Sequence, residues 1–147
     1  MTPLDGTLRG GRHVMPVRVY YEDTDFSGAV YHASYLRFLE RGRTNYLRCH
    51  GVSHRALFAQ PAGVAFVVRA MQIDFRKPAR MDGLLEIVTA PQEVRGASLV
   101  LCQQVRRANE PLVEAIVRVA CVAGGKPQPL PENLRAALEA DKRTCAS

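Results

Sequence analysis

The sequence predicts an α+β fold: a curved, mostly antiparallel sheet of five strands wrapped around one long central helix. Two observations lead there. One strand-like segment precedes a helix-patterned stretch, and four strand-like segments follow it. The later segments are joined by short breaks, and strands joined by short turns pair antiparallel. One helix cannot cover both faces of such a sheet, so a face and an edge are left for a second subunit.

The first strand is expected over residues 14–22 (VMPVRVYYE). Val17, Val19 and Tyr21 alternate with Arg18, Tyr20 and Glu22, the period of a half-buried strand. A polar break follows, Asp23-Thr24-Asp25-Phe26-Ser27-Gly28. From Val30 to Cys49 the period becomes helical. Tyr35, Phe38, Leu39, Gly42 and Tyr46 share one face, with Leu36 and Leu47 at its margin. Arg37, Arg41, Thr44 and Arg48 take the opposite face. Glycine costs about 1 kcal/mol relative to alanine inside a helix. Gly42 in the apolar stripe therefore predicts a close approach to whatever the helix packs on. Gly51 is a natural stop.

Strands are expected over 64–77, 84–90, 97–107 and 112–123, with a short closing helix over 131–138. In the last strand Val113, Ala115, Val117, Val119, Cys121 and Ala123 form one apolar face. Residues 1–147 read as a single domain with its core at about 14–125, a loose N-terminal arm and a loose tail.

Composition narrows the function classes. Hydrophobic residues at 47% and charged residues at 23% exclude disordered and fibrous classes. No apolar run reaches the roughly 18 residues of a membrane span, and the first 12 residues lack a secretory apolar region. A cytoplasmic location is expected. Cys49, Cys102, Cys121 and Cys145 form no C-x-x-C pair and read as reduced thiols. The net charge of +6 favours an anionic partner. The basic residues are dispersed, without a nucleic-acid motif, so a nucleic-acid module is disfavoured.

The sequence contains no nucleophile elbow, phosphate-binding P-loop, dinucleotide fingerprint or zincin helix motif. His50 and His54 are separated by Gly51 beyond the helix end, which argues against a metal face. What remains is the strand–helix junction, where Glu22, Asp23 and Asp25 stand just before the helix. A helix N-terminus offers unpaired N–H groups and partial positive charge. These carboxylates have two uses there. Asp25 or Ser27 can cap the helix, or one carboxylate can face a substrate carbonyl.

The run YYEDTDFSGAVYHASYLRFLERGRTNYLR resembles the hotdog-fold acyl-CoA thioesterases. Within them it is most similar to the 4-hydroxybenzoyl-CoA thioesterase-like family and its Tol-Pal-system-associated branch. The pattern D-T-D-x-x-G-x-V-Y-H-x-x-Y-L-x-F-x-E-x-x-R-T is uninterrupted, and the likeness continues through MQIDFRKPARMDGLLEI to about residue 123.

The resemblance implies hydrolysis of an acyl-CoA to a carboxylic acid and coenzyme A, with no metal or other cofactor. It implies Asp25 as the catalytic carboxylate, either nucleophile or general base, and the backbone N–H of His32 as oxyanion donor. Asp23 becomes its structural partner, binding loop N–H groups. Gly28, Tyr31 and Tyr35 are the expected substrate-binding residues, the two tyrosines as pocket wall or core. Glu40 and Arg43 are expected to form a structural ion pair. Arg76, Lys77, Arg80, Arg95, Arg106 and Arg107 are candidates to meet the coenzyme A phosphates. An acidic acyl carrier protein is a second possible partner, and a dimer or dimer of dimers is expected. The alternative is a non-catalytic hotdog protein that binds acyl-CoA or acyl carrier protein.

Overall fold

The computed structural model describes residues 3–143. The elements in chain order are β1 (Thr7–Arg9), β2 (Arg12–Arg18), α1 (His32–Cys49), α2 (His54–Phe58), β3 (Ala65–Phe75), β4 (Leu84–Val94), β5 (Ser98–Arg107), β6 (Glu110–Ala123), β7 (Lys126–Pro127) and α3 (Glu132–Asp141). One sheet runs in the order β1-β2-β4-β5-β6-β3, with β7 on β6. The pairings are antiparallel.

The sheet therefore has seven strands rather than the expected five. The five expected strands are β2 to β6. The two additions, β1 and β7, have three and two residues. Segments that short show no alternation, and each forms by folding back across a Gly-Gly turn onto a longer neighbour. The N-terminal arm is correspondingly tied down rather than loose. Its Asp5 carbonyl also accepts the His13 Nε2 hydrogen at 2.6 Å.

The first long strand stops at Arg18 rather than Glu22. Tyr21–Asp23 form a 3-10 turn, and Tyr21 is 81% exposed instead of continuing the buried alternation. The cause is Asp23, whose Oδ2 accepts the Tyr20 N–H at 2.8 Å and turns the chain.

Helix α1 buries Tyr35, Phe38, Leu39, Gly42, Tyr46 and Leu47, while Leu36 stays exposed. It packs on β2, β4 and β5. A Cβ on Gly42 would lie 2.6 Å from Ile87 Cγ2, so the helix backbone rests directly on β4, as the apolar-stripe glycine predicts. The helix ends in a Schellman pair of bonds, Gly51 N–H to the Arg48 carbonyl and Val52 N–H to the Leu47 carbonyl.

One buried polar residue ties the layers together. Gln103 on β5 donates Nε2 hydrogens to the Leu39 carbonyl and to Thr89 Oγ1, each at 2.9 Å. Its Oε1 accepts Arg43 at 3.1 Å. Arg43 thus turns inward to Gln103 and makes no direct pair with Glu40, which exerts only a through-space attraction. That corrects the expected ion pair.

Leu130, and Leu134 and Leu138 of helix α3, extend the core past residue 125. Asp141 at its end accepts the Tyr46 hydroxyl at 2.8 Å and lies 2.6 Å from His50 Nε2. Cys49 and Cys121 are free thiols. Cys102 is disulfide-bonded, against the reduced state expected for it. Cys145 lies outside the described residues.

Candidate active site

The junction between β2 and α1 is a stitched loop. Thr24 bridges Val30, the Asp25 N–H donates to the Ala29 carbonyl at 2.9 Å, and the Gly28 N–H donates to the Asp25 carbonyl at 3.1 Å. Gly28 has φ of +83°, a conformation that glycine adopts without steric cost. The loop is fastened on two sides. The Tyr31 N–H donates to the Asp23 carbonyl at 2.9 Å, which fixes the loop to the helix start. Val30 N–H donates to the Ala79 carbonyl, Met81 N–H to the Gly28 carbonyl, and Ala29 bridges Arg80.

Asp23 and Asp25 have different environments. Asp23 is buried and serves the loop through the Tyr20 N–H. Asp25 is exposed, and its Oδ1 accepts both the Ser27 hydroxyl at 2.6 Å and the Ser27 N–H at 2.8 Å. The Ser27 hydroxyl first, and its N–H second, hold the Asp25 carboxyl below its ordinary value. Neither Asp25 nor Ser27 caps the helix. The N-cap position is Tyr31, with no side-chain cap bond. The Ser34 N–H closes a tight first turn on the Tyr31 carbonyl at 2.8 Å. His32 is the first helical residue, and a first-turn N–H has no intrahelical acceptor.

Aromatic rings surround this helix start. Tyr31 lies 4.5 Å from the His32 ring, and Phe75 at the end of β3 lies 6.2 Å from His32 and 5.8 Å from Tyr35. Tyr31 is half-exposed. Tyr35 is core, with its hydroxyl accepting the buried Ala79 N–H at 2.8 Å. Burial raises the Tyr35 phenol above its ordinary value.

Most of the candidate phosphate ligands are engaged. Arg76 pairs with Asp74 and Glu114, Lys77 with Glu110, Arg95 with Glu93 and Arg107 with Glu110. Arg106 donates to Gln104. Arg80 is exposed beside the loop and has no ion-pair partner among the described residues. No group of three His, Cys, Asp or Glu that could hold a metal occurs among the described residues. His50 turns to Asp141, and His54 starts α2.

The residue that sequence reasoning undervalued is Ser27. An Asp with Ser two positions on is a local side-chain turn, and that spacing was the available signal. Phe75 is 40 or more residues from the loop in sequence, so only the fold brings it there.

The thioesterase superfamily model matches residues 27–114, more than half of the chain. The chain belongs to the thioesterase superfamily. The acyl-CoA thioester hydrolase YbgC of Escherichia coli O6:H1 is 51% identical over 122 residues, 81% of this chain and 90% of that protein. The acyl-CoA thioesterase YbgC of Haemophilus influenzae is 45% identical over 125 residues, 84% of this chain and 91% of its own. Among solved structures, a probable thioesterase from Bartonella henselae superposes with a TM-score of 0.78 at 43% identity, covering 82% of this chain and 99% of that one. The matched residues begin inside the loop before α1, two positions after Asp25.

Proposed function

We propose that this protein hydrolyses the thioester of an acyl-CoA to a free carboxylic acid and coenzyme A, using Asp25 and the N-terminus of α1. The observation that carries the chemistry is the pairing of an ionised, exposed carboxylate with an uncapped helix start, in a chain half identical to acyl-CoA thioester hydrolases.

The thioester carbonyl accepts the His32 N–H at the positive end of the helix. Charge developing on that oxygen is stabilised by a donor already in place, and removing such a donor typically costs about 2.7–4 kcal/mol. Asp25 then acts in one of two ways. It attacks the carbonyl carbon and forms a mixed anhydride that water cleaves, or it takes a proton from the attacking water. In both, coenzyme A leaves as the thiolate and takes up a proton. Gly28 gives the loop its turn beside the substrate, Tyr31 forms the exposed wall, and Tyr35 supports that wall from the core.

The acyl carrier is coenzyme A in this reading, with Arg80 as the phosphate contact. The +6 charge also suits an acidic acyl carrier protein. The uninterrupted D-T-D-x-x-G motif supports the Tol-Pal-associated branch. No helix among the described residues is long and apolar enough to cross a membrane. A homodimer, and from it a tetramer, is part of the same proposal. Its support is β3, an 11-residue strand at the sheet edge with half-exposed Val67 and Val68.

The test is Asp25→Asn with a thiol-release assay. The expected result is a fall in kcat of at least a hundredfold with coenzyme A binding and folding retained. Turnover near that of the unmodified enzyme would overturn the assignment.

A further inference from the structure

The backbone of Asp25 is pinned on both sides. Its N–H donates to the Ala29 carbonyl at 2.9 Å, and its carbonyl accepts the Gly28 N–H at 3.1 Å. The loop around it is tied to Asp23 and to residues 79–81. Only the two side-chain torsions are left to fix. An exposed carboxylate on such a backbone ordinarily samples several staggered rotamers. No Lys or Arg pairs with Asp25 among the described residues, and Arg37 approaches Asp23 instead, at 4.0 Å. The neighbouring Phe26 is fully exposed and offers no packing.

Ser27 supplies the missing restraint. Its hydroxyl and its N–H both donate to Oδ1, at 2.6 and 2.8 Å. A carboxylate oxygen has two lone pairs, so these two donors fill Oδ1. The hydroxyl oxygen of Ser27 accepts the Ala29 N–H at 3.4 Å, which leaves its one hydrogen for Asp25. Oδ2 takes no hydrogen bond from the described residues. The two oxygens of one carboxylate are therefore unequal, one held and one open.

We propose that Ser27 is a positioning residue for the reaction: it holds Oδ1, aims the carboxylate, and leaves Oδ2 as the oxygen that meets the thioester carbon or the attacking water. The inference rests on the reading of Asp25 as the reacting carboxylate. In either route the electron pair comes from Oδ2. It forms a bond to the carbonyl carbon while the C–S bond breaks and the thiolate leaves, or it takes a proton from the water that attacks that carbon. A displacement of about 1 Å at a reacting group costs on the order of a hundredfold in rate. Ser27→Ala keeps the N–H and loses the hydroxyl, so a part of that loss is expected.

The experiment compares the unmodified enzyme with Ser27→Ala, Ser27→Thr and Asp25→Asn. Thiol release is followed with acetyl-, benzoyl- and octanoyl-CoA, at a pH above the acid limb of each profile, where Asp25 is ionised in every protein that has it. Ser27→Ala is expected to lower kcat at least threefold with KM and the urea midpoint unchanged. Ser27→Thr keeps a hydroxyl on the same carbon and is expected to restore kcat. A second measurement needs no variant: a crystal structure with an octanoyl-CoA analogue that has a methylene in place of the thioester sulfur. The analogue's carbonyl carbon, or a water beside it, is expected nearest Oδ2, with Ser27 still on Oδ1. An unchanged kcat in Ser27→Ala, no recovery in Ser27→Thr, or the analogue seated on Oδ1 would overturn this proposal and leave the Asp25 reading standing, provided Asp25→Asn has lost turnover. Turnover kept in Asp25→Asn, or none from the unmodified enzyme with any of the three, would overturn the Asp25 reading and this proposal with it.

Discussion

Ser27 donates twice to one oxygen of Asp25, from its hydroxyl at 2.6 Å and from its backbone N–H at 2.8 Å. The pair sits in an exposed turn, so the serine acts on the protonation and aim of the carboxylate rather than on global stability.

The first prediction concerns pH. Hydrogen bonds to the charged form lower a carboxyl pKa, and Ser27 supplies both of those acting on Asp25. In the proposed mechanism Asp25 works ionised, so activity is expected to fall as pH drops through its pKa. Ser27→Ala removes the hydroxyl, the larger cause, and the pKa rises. The acid limb of the kcat/KM profile should move to higher pH, with activity at alkaline pH less affected. An acid limb at the same position in the variant would show that Ser27 does not set the ionisation.

The second concerns the carrier. Arg80 lies beside the loop without an ion-pair partner among the described residues, whereas Arg95 is paired with Glu93. Arg80→Ala should raise KM for acyl-CoA severalfold with kcat nearly kept, and the effect should shrink as salt is added. Arg95→Ala should leave KM unchanged. Equal effects of the two would assign the phosphates elsewhere.

The third concerns the helix–sheet contact. Gly42→Ala gains about 1 kcal/mol of helix propensity. The new methyl, however, meets Ile87 Cγ2 at 2.6 Å and Thr89 Oγ1 at 3.2 Å. Overpacking of this kind costs typically 1–3 kcal/mol. A net loss of about 1 kcal/mol is expected, read as a lower urea midpoint. A more stable variant would show that α1 moves off β4 without penalty.

The fourth concerns the clasp on α3. Asp141 accepts the hydroxyl of Tyr46, whose ring is fully buried. Asp141→Ala leaves that hydroxyl unpaired, at a cost of roughly 1–3 kcal/mol. Faster amide exchange along α3 and a lower denaturation midpoint are expected. Unchanged exchange in α3 would mean that Leu134 and Leu138 alone hold the helix down.

The sequence by itself determined what depends on neighbours along the chain. The α1 stripe through Tyr35, Phe38 and Tyr46, the packing glycine at 42, the long strands and the acidic turn before the helix follow from period and turn chemistry. Short β1 and β7 escaped because two or three residues carry no period. Only the tertiary structure decided which partners distant polar groups take: Gln103 rather than Glu40 for Arg43, and Asp141 for Tyr46 and His50. It also decided that β3 lies at the edge with its apolar row beside α1. Those outcomes depend on strand order and register, set by packing of the whole sheet, and no local run of residues encodes them.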